Sequence, residues 1–258
     1  MQDKKIVASI EARMTSNRLP GKVLMEAVNG ISMLEYMIER VKKSRLIDDI
    51  VISTTINKED DVVIDLCNKL NIKYYRGSEE DVLLRVLETH EFVGSELIVE
   101  LTGDCPLIDP IVIDKVIDKY LNNDYDYVSN THIRSYPDGF DVEVFSLKLL
   151  KQISEITNNS YDREHVSPYL YRSGKYTTSA IVAQPDEYWP ELRVTLDDKG
   201  DYLLLKNIIE HFQSKDSTSY SVSDVVKYIK NNPTLLELNK DARFKAAPFQ
   251  KLANNKNG

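Results

Sequence analysis

Short β-branched runs alternate with stretches of helical spacing through the first half of this chain. IVASI (6–10), IVISTT (50–55), IKYY (72–75) and LIVEL (97–101) read as strands. Helices are expected over 33–44, 59–70 and 80–92, because Leu34, Met37, Ile38 and Val41 share one face, as do Val63, Leu66, Cys67 and Leu70. Ser32 followed by Glu35 reads as a capping box that starts the first helix. Strands joined by helical crossovers pair in parallel, which implies an α/β three-layer fold with a mostly parallel central sheet. Ligands of such sheets bind beyond the carboxyl ends of the strands, so the chemistry is sought in segments that directly follow a strand.

The second half is less regular. DYDYVSN (124–130) and FDVEVFS (140–146) read as strands around a Pro-Asp-Gly turn, YTTSAIVA (176–183) and LRVTL (192–196) as two more. Helices are expected over 146–156, 163–171, 199–212 and 223–231. Residues 232–258 end in the polar run NNKNG and read as a docking arm with a frayed tip. No repeat or linker divides the chain, so one domain is expected over residues 1–258.

Composition sets limits on partners. The chain has 258 residues, with 41 acidic against 33 basic side chains and a formal charge of −8. That excess argues against a coat for nucleic-acid polymers or anionic lipid, while leaving room for a local basic pocket. Two cysteines, Cys67 and Cys105, make neither a disulfide framework nor a zinc pattern, and Cys67 sits on an apolar helix face as core. No apolar run approaches the ~20 residues of a membrane span, and the N-terminal run is too short for a signal-peptide core. A cytoplasmic location is the expectation.

Three segments carry the chemistry. EARMTSNRLPGKVL (11–24) follows the first strand and gathers Arg13, Arg18 and Lys22 with Thr15, Ser16, Asn17 and Gly21. Cations, hydroxyls and free backbone N–H groups are what a polyphosphate needs, although a solvated basic loop would carry the same charges. LTGDCPLIDP (101–110) places Asp104 on a tight turn after a strand, where it would hold a hard divalent cation or cap the turn that follows. Asp197 and Asp198 follow LRVTL. Two acidic loops and one basic loop on one sheet edge suggest Mg²⁺ with a nucleoside triphosphate.

ARMTSNRLPGKVL and VELTGDCPLIDP resemble the signatures of the cytidylyltransferases that activate acidic sugars, especially 3-deoxy-manno-octulosonate cytidylyltransferase. RGSEEDVLLR (76–85), YPDGFDVEVF (136–145), REHVSPYLY (163–171) and LRVTLDDKGDY (192–202) are similar to the spore-coat polysaccharide subgroup, a relative of acylneuraminate cytidylyltransferase. The resemblance runs from about residue 6 to about residue 212. It implies a Rossmann-like nucleotidyltransferase that uses CTP and Mg²⁺, transfers CMP to an acidic sugar or sugar phosphate, and forms a homodimer. Carried over by position, Arg13 and Lys22 would contact the triphosphate with Ser16 and Arg18 nearby, Arg76 and Ser78 would lie along the nucleotide, and Asp104 and Asp197 would hold the metal. Arg13, Lys22 and Asp104 form the expected catalytic set. The sugar side would fall to the 138–143 segment, with Asp138, Asp141 and Glu143, and to Arg163, Glu164 and His165. Residues 1–123 would be the nucleotide half, 124–231 the sugar and dimerisation half, and 232–258 the C-terminal arm. The chain departs from the family at Glu11, where Gln or Pro is common, at Met14 and Asn17, and at Asp198.

His165 has two readings, a general base or sugar-carboxylate contact and a structural hydrogen bond. His90, His132 and His211 lack a motif and read as structural or surface residues. Two other functions compete. Asp124-Tyr125-Asp126 spells the metal triplet of nucleotide-sugar glycosyltransferases, but it begins a strand pattern instead of ending one. A nucleotide-binding relative without chemistry is opposed by the presence of Lys22, Asp104 and Asp197 together.

Overall fold

The computed structural model describes residues 4–214 and 219–241. The strands are β1 (Ile6–Glu11), β2 (Glu26–Val28), β3 (Ile31–Ser32), β4 (Asp49–Thr55), β5 (Lys73–Gly77), β6 (Leu97–Thr102), β7 (Tyr127–Ser129), β8 (Glu143–Ser146) and β9 (Thr178–Ala180). The helices are α1 (Met33–Val41), α2 (Asp61–Leu70), α3 (Val82–Val93), α4 (Pro110–Leu121), α5 (Leu147–Ile156), α6 (Ser160–His165), α7 (Pro168–Arg172), α8 (Lys199–Gln213) and α9 (Val222–Asn231). Seven strands form one sheet in the order β5-β4-β1-β6-β8-β7-β9, and β2 and β3 form a separate hairpin. All neighbours in the large sheet are parallel except the two pairs made by β8. The mostly parallel α/β sandwich expected from the alternation is therefore present.

Period-two alternation sorts the core into two layers. Ala8, Ile10, Ile52 and Val99 face one way and pack with Leu34, Met37 and Ile38 of α1, Cys67 of α2, and buried residues of α4, α8 and α9. Ile98, Tyr127 and Phe145 face the other way against α3, α5 and α7. Burial pushes the Cys67 thiol up to about 12, as befits a core residue.

Several expected elements come out shorter or broken. The strands expected over 124–130, 140–146 and 176–183 contract to β7, β8 and β9, because only three or four residues of each find a partner. LRVTL does not form a strand: Arg193 makes one isolated parallel bridge with Asp138, and the other backbone groups bond to loops. The helix expected over 163–171 is split into α6 and α7 at Val166, whose φ of 65° and ψ of −64° form a γ-turn closed by Ser167 N donating to His165 O at 2.8 Å. Helix α4 and the β2-β3 hairpin were not expected, although Asp109 as cap, Pro110 at the first helical position and Val112, Ile113, Val116 and Ile117 on one face signal α4. Ser32 accepts from Glu35 N at 3.2 Å, while the reciprocal box closes at Asp198–Asp201 and Ser221–Asp224. The arm expected over 232–258 is described to Asp241, with a 3₁₀ turn at Pro233–Glu237; NNKNG lies outside the described residues.

His90 is fully buried on α3, with Nδ1 2.9 Å from the Ser95 hydroxyl and Nε2 without a partner. Burial lowers its pKa to about 3. An unfolded histidine titrates near ~6.5, so between these values the unfolded chain binds the extra proton and stability falls as pH is lowered. Urea denaturation between pH 7.5 and 5 should show a loss approaching ~1.4 kcal/mol per pH unit from this group. The His90→Gln variant should lack that component; an unchanged slope would show that His90 does not carry it.

Candidate active site at the carboxyl edge of the sheet

The loop after β1 folds back upon itself. Met14 N donates to the buried Asp60 carboxylate at 2.6 Å, and the same carboxylate accepts from Thr55 N at 3.2 Å. Met14 O accepts from both Ser16 N and Gly21 N, at 3.0 and 2.9 Å. Gly21 takes φ 73°, a left-handed turn that delivers Lys22 inward. Ser16 Oγ accepts from Leu19 N at 3.4 Å, inside the loop.

The three expected cations reach different partners. Arg13 pairs with Glu79 at 2.9 Å, and Glu79 also accepts from the Thr15 hydroxyl and the Asn57 amide. Arg18, half exposed, pairs with Asp197 at 3.0 Å. Lys22 lies deepest, its Nζ 2.9 Å from Asp197 Oδ1 and 3.3 Å from Asp104 Oδ2. Burial opposes its charge, but the two carboxylates raise its pKa.

Backbone contacts bring those carboxylates together. Gly103 N donates to Glu11 O at 2.8 Å, and a Cβ at this position would stand 2.6 Å from that oxygen. Glycine thus lets the loop after β6 close onto the end of β1. Leu196 N donates to Asp104 O at 2.8 Å, which sets Asp197 beside Asp104. Asp197 also receives Arg193, whose guanidinium lies 3.3 Å from Asp201 and 3.8 Å from Asp138. Burial would raise the Asp197 pKa, yet Lys22, Arg193 and Arg18 hold it below its ordinary value. Asp198 instead caps α8, accepting from Gly200 N and Asp201 N. Asn239 completes this network by donating to Arg193 O and Asp201 Oδ1, each at 3.1 Å.

The 138–143 segment borders the cluster. Gly139, at φ 119°, passes so close to Val194 that a Cβ would stand 2.6 Å from its carbonyl oxygen. Burial and the neighbouring Asp141 push Asp138 up to about 6, despite Arg134 and Arg193. Asp141 is held by Arg134 through two contacts of 2.9 Å. Glu143 accepts from the Thr131 hydroxyl at 3.0 Å.

Other expected residues lie apart from Lys22 and are engaged locally. Arg76 donates to Thr55 O, Asn57 O and Asp61, tying β5 to the loop after β4. Ser78 Oγ accepts from Asp81 N. Arg163 donates to Ser154 O at 2.9 Å and pairs with Asp81, the cap of α3. Glu164 and His165 are exposed at the end of α6, the histidine ring 4.4 Å from that of Tyr161. Asp126 accepts from Thr177 at the amino end of β7, a strand that runs parallel to β6, so the Asp-Tyr-Asp triplet lies on the edge opposite Asp104.

Sequence reading missed Glu79, Arg193 and Arg134. Arg193 stands four residues before Asp197 and Arg134 four before Asp138, the local signals among them. Among the described residues, no group of three or more His, Cys, Asp or Glu forms a ready metal cage. Asp104 and Asp197 nevertheless share one cation, the Lys22 ammonium, and two carboxylates with room for phosphate oxygens and water are an Mg²⁺-type donor set.

Residues 7–223 match the family described as cytidylyltransferase. The chain belongs to the cytidylyltransferase family. Over 244 residues it is 35% identical to an uncharacterized protein of Methanocaldococcus jannaschii, covering 94% of this chain and 97% of that one. It is 32% identical over 235 residues to the spore coat polysaccharide biosynthesis protein SpsF of Bacillus subtilis, covering 88% and 95%. A solved cytidylyltransferase from Leptospira borgpetersenii superposes with a TM-score of 0.84 at 33% identity, covering 90% and 96%. This cytidylyltransferase carries no helix, among the described residues, long and apolar enough to cross a membrane.

The network predicts unequal dependence on its cations. Arg193 is 9% exposed among three carboxylates, so Arg193→Met should cost ~3–5 kcal/mol in urea denaturation. Arg13→Met, which removes an exposed pair, should cost ~1 kcal/mol or less. Equal losses would refute this division.

Proposed function

We propose that this chain transfers the CMP unit of CTP to an acidic sugar of the nonulosonate or octulosonate type, or to a sugar phosphate, releasing pyrophosphate. Family membership supports the transferase class, and one observation carries the site assignment: Lys22 Nζ lies within 3.3 Å of both Asp104 and Asp197 at the carboxyl edge of a parallel sheet. Three segments distant in sequence converge there, from the loop after β1, the loop after β6 and the residue just before the cap of α8.

In this reading an acceptor oxygen attacks the α-phosphorus, its bond to phosphorus forms, and the bond to the β-phosphate oxygen breaks. Positioning and charge stabilisation are the protein's main work in such a transfer. Lys22 has three N–H donors and leaves its carboxylates for phosphate oxygens when a polyphosphate enters. Arg18 and Arg13 extend the same loop toward the departing pyrophosphate. Asp104 and Asp197 would hold Mg²⁺, which supplies charge neutralisation at the transferring phosphorus. Residues 1–123 serve the nucleotide, with Arg76 and Ser78 shaping the loop edge, and residues 124–231 serve the acceptor. Asp138 and Asp141 stand at that boundary, each facing Arg134.

Lys22→Ala should lower pyrophosphate release from CTP and Mg²⁺ with a productive acceptor by ~10²–10³-fold, the loss expected for one transition-state donor. Its circular dichroism and CTP-independent melting should remain those of a folded chain. Wild-type turnover in that variant would exclude the phosphate role. Chelation with EDTA should stop pyrophosphate release and added Mg²⁺ restore it, while UDP-sugars offered in place of CTP should give no transfer.

A further inference from the structure

One glutamate from each of three adjacent strands faces the same side of the sheet. Glu11 lies opposite Thr102 in the β1-β6 register, Glu100 is two residues before Thr102, and Glu143 lies directly opposite Glu100. Glu11 and Glu100 lie side by side and share a hydrogen bond, and beyond it Glu11 Oε1, Glu100 Oε2 and Glu143 Oε2 are buried without a donor. Glu100 is only 6% exposed. Arg85 stands 3.7 Å from Glu11 and is the one cation paired with the trio among the described residues.

These carboxylates are not sealed in the core. A cavity of about 80 Å³ is lined by Glu100, Thr102, Asp141 and Glu143. Thr102 is exposed and Asp141 partly so, which makes them the rim, while Glu100 lies at the floor. Thr102 is also two residues from Asp104, so the cavity adjoins the transfer site. It has room for a small substituent of a ligand beside Glu100. Behind the lining, Thr131 donates to Glu143, and the Ser167 hydroxyl, presented just after the γ-turn at Val166, hydrogen-bonds the same carboxylate.

Burial raises the pKa of all three glutamates, and their mutual proximity adds to this at Glu100. Such a floor offers acceptor oxygens and disfavours another anion. Leaving buried acceptors unpaired costs stability, so a ligand group that donates is the chemical complement. We propose that this cavity is an acceptor subsite that receives a hydrogen-bond-donating substituent, a hydroxyl or a protonated amine, and turns the acceptor's carboxylate or phosphate away from the floor. The subsite rests on the transfer reading for its role, but its binding chemistry is separable from catalysis.

Saturation-transfer NMR with glucosamine 1-phosphate, glucose 1-phosphate and N-acetylneuraminate tests it on the full chain in the presence of CTP and Mg²⁺. At least one probe should bind, and Glu100→Leu should weaken that binding at least tenfold while calorimetric CTP affinity stays within twofold. Loss for the amino sugar phosphate alone identifies an ammonium as the preferred group; loss for the other two identifies hydroxyls. Glu100→Leu should also melt at or above the wild-type temperature, because an unpaired buried carboxylate held for a ligand is replaced by an apolar side chain. Glu143→Gln provides the second variant and should weaken the same probe. Unchanged probe binding in both variants, or no binding of any probe to the wild type, overturns the subsite. Absence of CTP binding with retained sugar binding would instead overturn the transfer reading and leave the subsite standing.

Discussion

Parallel hydrogen bonding of β1 to β4 on one side and β6 on the other sets Glu11, at the end of β1, level with Ser53 of β4 and with Thr102, at the end of β6. A slip of one residue in either register would send every side chain to the opposite face. The loops that follow these three strands hold the Lys22 segment, Asp60 and Asp104. Ala12 N reaches Ser53 O at 3.1 Å, and Gly103 N reaches Glu11 O, so the three strand ends are tied across their tips as well as along their lengths. Asp197 joins through Leu196, and the 192–196 segment can serve this purpose because it is free of a ladder of its own.

Charge in the site alternates in space. Arg18, Lys22 and Arg193 interleave with Asp104, Asp197, Asp201 and Asp138, and each cation touches at least one carboxylate that another cation also touches. Buried pairs of this kind contribute little net stability over apolar packing, because desolvation offsets their attraction. Their effect is geometric: removing one member strands its partner, which holds the arrangement to one solution. The net charge of −8 is compatible with this cationic loop because the excess carboxylate lies elsewhere on the surface and inside the glutamate trio.

The layers of the fold were legible where periodicity was strong. Helices α1, α2, α3, α8 and α9 and strands β1, β4 and β6 bury apolar faces, and spacing alone reveals them. Short strands such as β7 and β9 were overdrawn, since β-branched residues continue past the point where a neighbour ends. The break at Val166 could not be foreseen, because a β-branched residue at positive φ contradicts local preference and is sustained by tertiary packing. At the site, Lys22 and Asp104 were readable from their places after strands and Asp197 from a β-like run that forms no strand, and the structure brings the three together. The local contacts of Arg76 and Arg163 were not legible, because a guanidinium that binds backbone carbonyls looks the same in sequence as one that awaits a phosphate. The glutamate trio escaped for another reason: its members are 89 and 43 residues apart, and only the strand order makes them neighbours.

Asn239 gives the network a temporal dimension. Its side chain, 2% exposed, holds the Arg193 carbonyl and the Asp201 carboxylate, while Gly200 leaves space for the Leu238 backbone beside it. Lys22 is made more than two hundred residues earlier. During synthesis, therefore, the sheet and the basic loop can be complete while the support beneath Arg193 has yet to leave the ribosome. The charged site is therefore completed only when residue 239 joins segments made long before it, so its assembly is the late step of this part of the chain.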